Sequence, residues 1–451
     1  MKTRVLWVVM SLIVVACGGT AGTASTTSTS SQGTTETSSA ATTAPTETST
    51  ANGETQGETL LIGAPLALTG PLAAQAQEMV NGYELYLEEV GGALGGVPTE
   101  IVVEDTEADP NTVVAKTRKL VEQDQVHLIG GGAFAFESLA IIDVAEQNNI
   151  AFITPISSAD DLTQRQLSPL FARPNMTSSQ PNLAFGTWVY ENLGFENIAI
   201  VAQDYAYGWE AAGGFQLAFE RAGGDITQKI WVPLDATDMT SYVTQLDLER
   251  ADAVFIMLVG AFVPRFVKAY VDFGLMDRAP LIGGPDTADE DALRAMGPEE
   301  VGIISVHEYA ASLPEAQEFV AAYEGKYGAT PSYWAEGPYI VAKWLDETIQ
   351  RLVDEGMSPG EVPTWIRENP EDFIQAYLET EIDSPHGHLS FDEYHNVITD
   401  MRVFEVTAED TKEVLDVIPQ VSQFWDLTPE EFLANPVFSR DFPAEDWDPE
   451  S

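Results

Sequence analysis

A serine pair, two tyrosines with one residue between them and an isolated aspartate carry most of the binding chemistry in this 451-residue chain. Ser157 and Ser158 stand just before a helical stretch, where hydroxyls and free backbone N–H groups can hold an anion such as a carboxylate. Asp286, after Gly283-Gly284-Pro285, can hold an ammonium or accept a hydrogen bond from a hydroxyl. Tyr205, Tyr207, Phe134, Phe136 and Phe262 supply aromatic surface, and together these side chains have the make-up of a small-molecule pocket. Plainer roles stand beside each: the serines as helix caps, the tyrosines as packing, Asp286 as a turn acid.

Signals for catalysis are poor. There is no G-x-S-x-G, no H-E-x-x-H and no cysteine nucleophile, since Cys17 is the only cysteine. His386-Gly387-His388, with His395 nearby, read as a turn before a strand, so no metal and no cofactor are expected. Gly130 to Ala135 fits a loose G-x-G-x-x-A fingerprint for dinucleotides. It follows a third strand rather than a first, and Phe134 and Phe136 crowd it. Its glycines are instead expected to let the backbone approach a small ligand.

These residues need a frame. From Leu60 onward, short apolar runs alternate with helical patterns: Leu60 to Leu66, Glu100 to Glu104, Val126 to Ile129, Ala151 to Thr154, Ile198 to Ala202, Lys229 to Val232, Ala253 to Leu258, Leu281 to Gly283 and Gly302 to Val306. Many are continuous rather than alternating, the mark of strands buried on both faces. Asn111 is expected to cap the helix after the second run. Strict alternation implies an α/β chain with two doubly wound parallel-sheet lobes. In such sheets ligands bind beyond the carboxyl ends of strands. Gln75, Phe134, Ser157, Ser158, Tyr205, Tyr207, Phe262 and Asp286 all follow strands.

The ends read differently. Residues 1–17 form a basic start, an apolar run and Val14-Val15-Ala16-Cys17, the pattern of a secretory signal ending in a lipobox, with Cys17 acylated. Several acyl chains make a stable anchor where one is marginal. Residues 18–58 are Thr/Ser-rich and read as a flexible tether. Residues 421–451 carry Phe424, Trp425, Phe432, Phe438, Phe442 and Trp447 among acids and prolines, and read as an extended arm packed on a lobe. A net charge of −50 argues against nucleic acid and anionic lipid surfaces as partners. It also resembles the surface of proteins adapted to high salt.

Five stretches, in this order, carry a family resemblance. They are Gly63-Ala64-Pro65-Leu66-Ala67-Leu68-Thr69-Gly70-Pro71, then Glu104-Asp105-Thr106 with Asp109-Pro110, Ile153-Thr154-Pro155, Asp204-Tyr205-Ala206-Tyr207-Gly208, and Phe319 to Tyr327 ending in Lys326-Tyr327-Gly328. From about Thr59 to Asp416 the chain resembles the type I periplasmic binding proteins of the branched-chain amino acid-binding (Leu/Ile/Val-binding) family, solute-receiving subunits of ABC importers. The resemblance implies two lobes joined by a three-strand hinge near Arg173, Val306 and His388. Lobe 1 would hold 59–173 and 306–387, and lobe 2 174–305 and 388–420. A small organic ligand would be trapped on closure and a permease would read the closed form. It implies ligand contacts for Ser158, Tyr207, Asp286 and Phe262. Gln75 stands where an aromatic wall is common, and Phe134 and Ala135 stand where amino acid binders place a serine. Amino acid-like solutes and aromatic or other carboxylates are therefore expected equally, with amides behind. The expected molecule is a monomer outside the cytoplasm, periplasmic or surface-facing, touching the membrane only by its lipid. A ligand-sensing receptor subunit and a secreted enzyme are the rival readings.

Overall fold

The computed structural model describes residues 58–443, so the signal, Cys17, almost all of the tether and Trp447 lie outside the described residues. The first sheet and its helices run Leu60–Leu66 (β1), Ala73–Glu89 (α1), Ala93–Leu94 (β2), Val97–Asp105 (β3), Pro110–Glu122 (α2), Leu128–Gly130 (β4), Ala135–Asn148 (α3), Ala151–Ile153 (β5) and Phe171–Ala172 (β6). Strand order is β2-β3-β1-β4-β5-β6, parallel except for the β2–β3 hairpin. β4 and β5 are buried throughout and β1 nearly so, which explains their unbroken apolar sequences. α2 begins on Asp109 rather than Asn111: the Asp109 carboxylate accepts from the N–H groups of Asn111 and Thr112, and Pro110 fills the first turn, where no N–H is needed.

The second lobe runs Gln180–Leu193 (α4), Asn197–Gln203 (β7), Ala206–Ala222 (α5), Asp225–Val232 (β8), Thr240–Val243 (α6), Ala253–Met257 (β9), Phe262–Asp272 (α7), Leu281–Gly283 (β10), Glu290–Ala295 (α8) and Ile304–His307 (β11). Four helices follow: Gln317–Tyr327 (α9), Tyr333–Asp354 (α10), Val362–Glu368 (α11) and Pro370–Leu378 (α12). They return to the first sheet, α10 lying along α1 and α12 against β5 and β6. The chain ends with Ile382–Ser384 (β12), Gly387–Phe391 (β13), Val397–Ala408 (β14), Thr411–Val421 (β15) and Pro429–Ala434 (α13). The second sheet is ordered β12-β13-β14-β11-β10-β9-β7-β8, with β15 also on β14. Its β7 to β11 core is parallel, and β14 joins β11 antiparallel.

The C-terminal third departs from expectation in its arm, and before the arm it forms a long β14–β15 hairpin. Three register irregularities break its two-residue period, and Val414, Leu415 and Val417 are exposed, so apolar alternation does not report this pair. The arm after Val421 is not wholly extended. Thr428 and Glu431 form a reciprocal cap that starts α13, and Phe424, Phe432, Phe438 and Phe442 cluster on Leu183 of α4 and on Leu217 and Ala218 of α5.

The passages between lobes are held by buried cations. Arg173, after β6, donates from Nε to Asn396 Oδ1 at 2.8 Å, from Nη1 to Ala159 O at 2.6 Å, and from Nη2 to the Thr163 hydroxyl. Its backbone is zipped to the segment between β13 and β14 through His395 O and Val397 N. On β14, Arg402 donates to the carbonyls of Glu308 at 2.6 Å and His386 at 3.0 Å, pinning the end of β11 to the β12–β13 turn.

Candidate functional site

The loops leaving β1, β4, β5, β7 and β9 converge on one small cavity of about 20 Å³. Leu72, Ala133, Ala135, Ile156 and Ser158 line it from the first lobe, and Tyr205, Tyr207 and Val259 from the second. Met176, just past the first crossing, and Tyr333 and Trp334, the first residues of α10, complete the wall. Strand carboxyl ends therefore account for most of the lining, as an open parallel sheet requires. A larger groove beside Thr187, Leu217 and Arg221 lies under the C-terminal arm, rimmed by Phe442 and Pro443. It is remote from the strand ends and touches none of the expected binding residues.

Asp286 organises the junction. It sits in a tight turn after β10 and is 3% exposed. Tyr207 donates its hydroxyl to Asp286 Oδ2, and Tyr333 donates to Oδ1 at 3.0 Å. One carboxyl thus joins an aromatic side chain of each lobe. Burial raises Asp286 to about 7, against the lowering effect of the Tyr207 and Tyr333 hydroxyls. Burial and the neighbouring Asp286 charge push both tyrosines well above their ordinary value, so they remain donors. Asp286 is not itself part of the cavity lining.

The other expected residues separate into groups. Ser158 lines the cavity, with Oγ 3.2 Å from Ser178 Oγ. Tyr205 lines it too and meets the edge of Phe134 across the lobes at 5.9 Å. Phe134 stands behind, buried and stacked on Phe136 at 5.0 Å. Ser157 ties two loops together, donating from Oγ to Phe134 O at 3.0 Å. Gln75 is at the mouth, where Nε2 reaches Asp291 Oδ2 of the second lobe at 2.6 Å. Beside it Glu78 pairs with Arg294 and accepts from the Ser332 hydroxyl. Phe262 begins α7, buried beneath the Arg265 guanidinium and outside the lining.

The glycine run after β4 is used differently from the expectation. A side chain at Gly131 would meet Pro65 of the first strand's end at 2.6 Å, so this glycine allows backbone to pack on backbone rather than on ligand. The N–H groups of Ala133 and Phe134, which a phosphate or carboxylate would need, both donate to Glu137 Oε2, at 2.8 and 3.0 Å. The chain's own carboxylate fills that anion position.

The histidines go to separate partners. His386 Nδ1 lies 2.5 Å from Glu336 Oε1, His388 is exposed beside Asp383 and Glu381, and His395 Nδ1 is 2.8 Å from Phe171 O. Among the described residues no group of three or more His, Cys, Asp or Glu is arranged to hold a metal ion.

A family model for the periplasmic binding proteins matches residues 59–412. The chain belongs to that family. Among relatives of this periplasmic binding protein is Leu/Ile/Val-binding protein homolog 6 of Brucella melitensis, 27% identical over 311 residues, covering 66% of this chain and 79% of the relative. Among solved structures, an ABC transporter substrate-binding protein from Sphaerobacter thermophilus is 30% identical with a TM-score of 0.73, covering 81% of this chain and 99% of its own. A solute-binding protein of an ABC transporter from Rhodopseudomonas palustris, in complex with 3,4-dihydroxybenzoic acid, is 26% identical with a TM-score of 0.73, covering 81% and 98%. The protein is thus a solute-binding protein of the ABC-importer class, which acts outside the cytoplasm, and its two lobes have the type I fold. No helix among the described residues is long and apolar enough to cross a membrane.

Besides the apolar Leu72, Met176 and Val259, the site residues that sequence reasoning missed are Tyr333 and Trp334. They follow no strand. The available signal was Ser332, whose hydroxyl accepts from Trp334 N and caps α10, followed by two aromatic residues in the first turn.

Proposed function

We propose that this chain captures a small amino acid-like solute, or an aromatic or aliphatic carboxylate, by closing its lobes, and presents the closed form to an ABC permease. The observation that carries this reading is the Tyr207–Asp286–Tyr333 tie, whose Asp286–Tyr333 bond joins the two lobes. Closure is then what the permease senses, and ligand contacts made only in the closed form shift the population towards it. Four aromatic residues on the wall favour a flat ligand, and the Rhodopseudomonas palustris relative holds an aromatic acid. Ser158, Tyr205 and Tyr207 contact the solute. Asp286 and Phe134 back them, while Ser157, Gln75 and Phe262 hold the frame. On this reading the chain binds its solute without turning it over.

On this reading residues 59–173 and 306–387 form one lobe, 174–305 and 388–420 the other, and 421–451 an arm. Acylated Cys17 and the 18–58 tether hold a monomer at the membrane, its charge of −50 opposing self-association. The test is a thermal-shift and calorimetric panel on the chain starting after Cys17, with benzoate, 4-hydroxybenzoate, 3,4-dihydroxybenzoate, L-leucine, amides and nucleotides. A ligand at a hundredfold excess over its Kd adds about 2.7 kcal/mol of stability. A response to nucleotides alone, or to nothing, would sink the reading.

A further inference from the structure

Most polar groups around the cavity are already engaged. The N–H groups of Ala133 and Phe134 serve Glu137, the Tyr207 and Tyr333 hydroxyls serve Asp286, and Ser158 meets Ser178. A buried donor of the wall is left over. Trp334 lines the cavity, is 3% exposed, and its indole N–H has no hydrogen-bond partner among the described residues. Leaving a buried donor unmet costs about 1–3 kcal/mol, so an unmet donor in a cavity wall calls for an acceptor.

The ring is also firmly placed. Trp334 N donates to Ser332 Oγ at 3.2 Å, and its indole packs on Tyr333 at 4.9 Å. One turn later, any side chain at Gly337 would collide with the Pro155 carbonyl, so α10 is pressed against the loop that carries Ile156 and Ser158. The donor rides on a 22-residue helix rather than on a mobile loop.

We propose that the indole N–H of Trp334 donates to an acceptor oxygen of the solute and selects ligands that carry one at that end of the cavity. This rests on the cavity being the solute site. A site built around such a donor rejects an analogue that lacks the acceptor, because the donor is then left buried and unpaired. No Lys or Arg lines the cavity, so the selection is by hydrogen bonding and not by a cation.

The experiment pairs calorimetry with the indole 15N–1H spectrum, using benzoate, 4-hydroxybenzoate and L-leucine on wild type and Trp334→Phe. Phenylalanine keeps an aromatic ring and removes the donor. A probe that binds wild type is expected to bind Trp334→Phe about ten- to hundredfold more weakly. In wild type, saturation is expected to move one indole N–H signal, the one missing from Trp334→Phe. Equal affinity in the two proteins, or no indole signal moved in wild type, overturns the proposal and leaves solute binding intact. The spectrum decides the matter on wild type alone if Trp334→Phe does not fold. Failure of every probe to bind wild type would overturn the solute-binding reading, and this proposal with it.

Discussion

The hinge and the cavity both bury acids, but they hold them differently. At the hinge, cations stand close. His386 pairs with Glu336, while Arg173 and Arg402, which donate to neutral groups, act on Asp160, Glu210 and Glu308 through space. Around the cavity, neutral groups do the holding: tyrosine hydroxyls for Asp286, backbone N–H and the Thr106 hydroxyl for Glu137. The difference matches two duties. A hinge must survive every cycle of opening, and a buried charge stripped of its partner is costly. A closing surface must come apart, and neutral donors with a carboxyl poised near neutrality separate at lower cost than an ion pair.

The largest expected effect breaks the hinge side. Arg173→Met removes the buried cation that acts on Asp160 and Glu210 and leaves Asn396 Oδ1 and the Ala159 carbonyl without its N–H donors. Chemical denaturation should show a loss of about 3–5 kcal/mol. A loss under 1 kcal/mol would mean the hinge acids are not ionised.

Next comes the cavity tie. Asp286→Ala leaves the Tyr207 and Tyr333 hydroxyls unpartnered in the closed form. Affinity for the solute should fall by about 1–3 kcal/mol in a calorimetric titration, with the denaturation midpoint changed less than in Arg173→Met.

The pH response sharpens the same contrast. Asp286 is raised from 3.8 to about 7 in the folded chain. A group raised in this way binds its proton more tightly when folded. Its contribution to stability is full below about pH 4 and is lost as pH rises towards 7. The wild-type minus Asp286→Asn difference in denaturant midpoint should therefore shrink across that window. Anionic solutes should also bind wild type more weakly at pH 8 than at pH 6. A difference flat with pH would place the Asp286 carboxyl in contact with solvent.

The smallest effect belongs to the mouth. Glu78 and Arg294 are partly exposed, so Arg294→Gln should cost about 0–1 kcal/mol, seen as a faster ligand off-rate at low salt that high salt abolishes. A large, salt-independent effect would make the mouth part of the binding site.

Much of the frame was legible because short-range pattern reports it. β4, β5 and β9 are buried throughout, and their composition says so without any partner being known. The elements that escaped are those whose local signals oppose their structure. α11 and α12 carry Pro363 and Pro370 in their first turns, where proline is at home although it interrupts a helical pattern elsewhere. β15 is an edge strand with exposed valines, so its pattern has no buried face to follow.

The chain's own order of residues determined that strand and helix alternate, that cavity-facing loops follow the strands, and that Ser158, Tyr205 and Tyr207 stand in those loops. Only the tertiary structure decided what each group does there. Asp286 binds Tyr207 and Tyr333 from 79 and 47 residues away, and no local spacing encodes that meeting. Glu137 fills the anion position that its neighbours would otherwise offer, and α10 brings Trp334 back from beyond the second lobe to close the wall. Strand and helix periods are properties of consecutive residues. Whether a donor is satisfied depends on which distant groups packing places beside it.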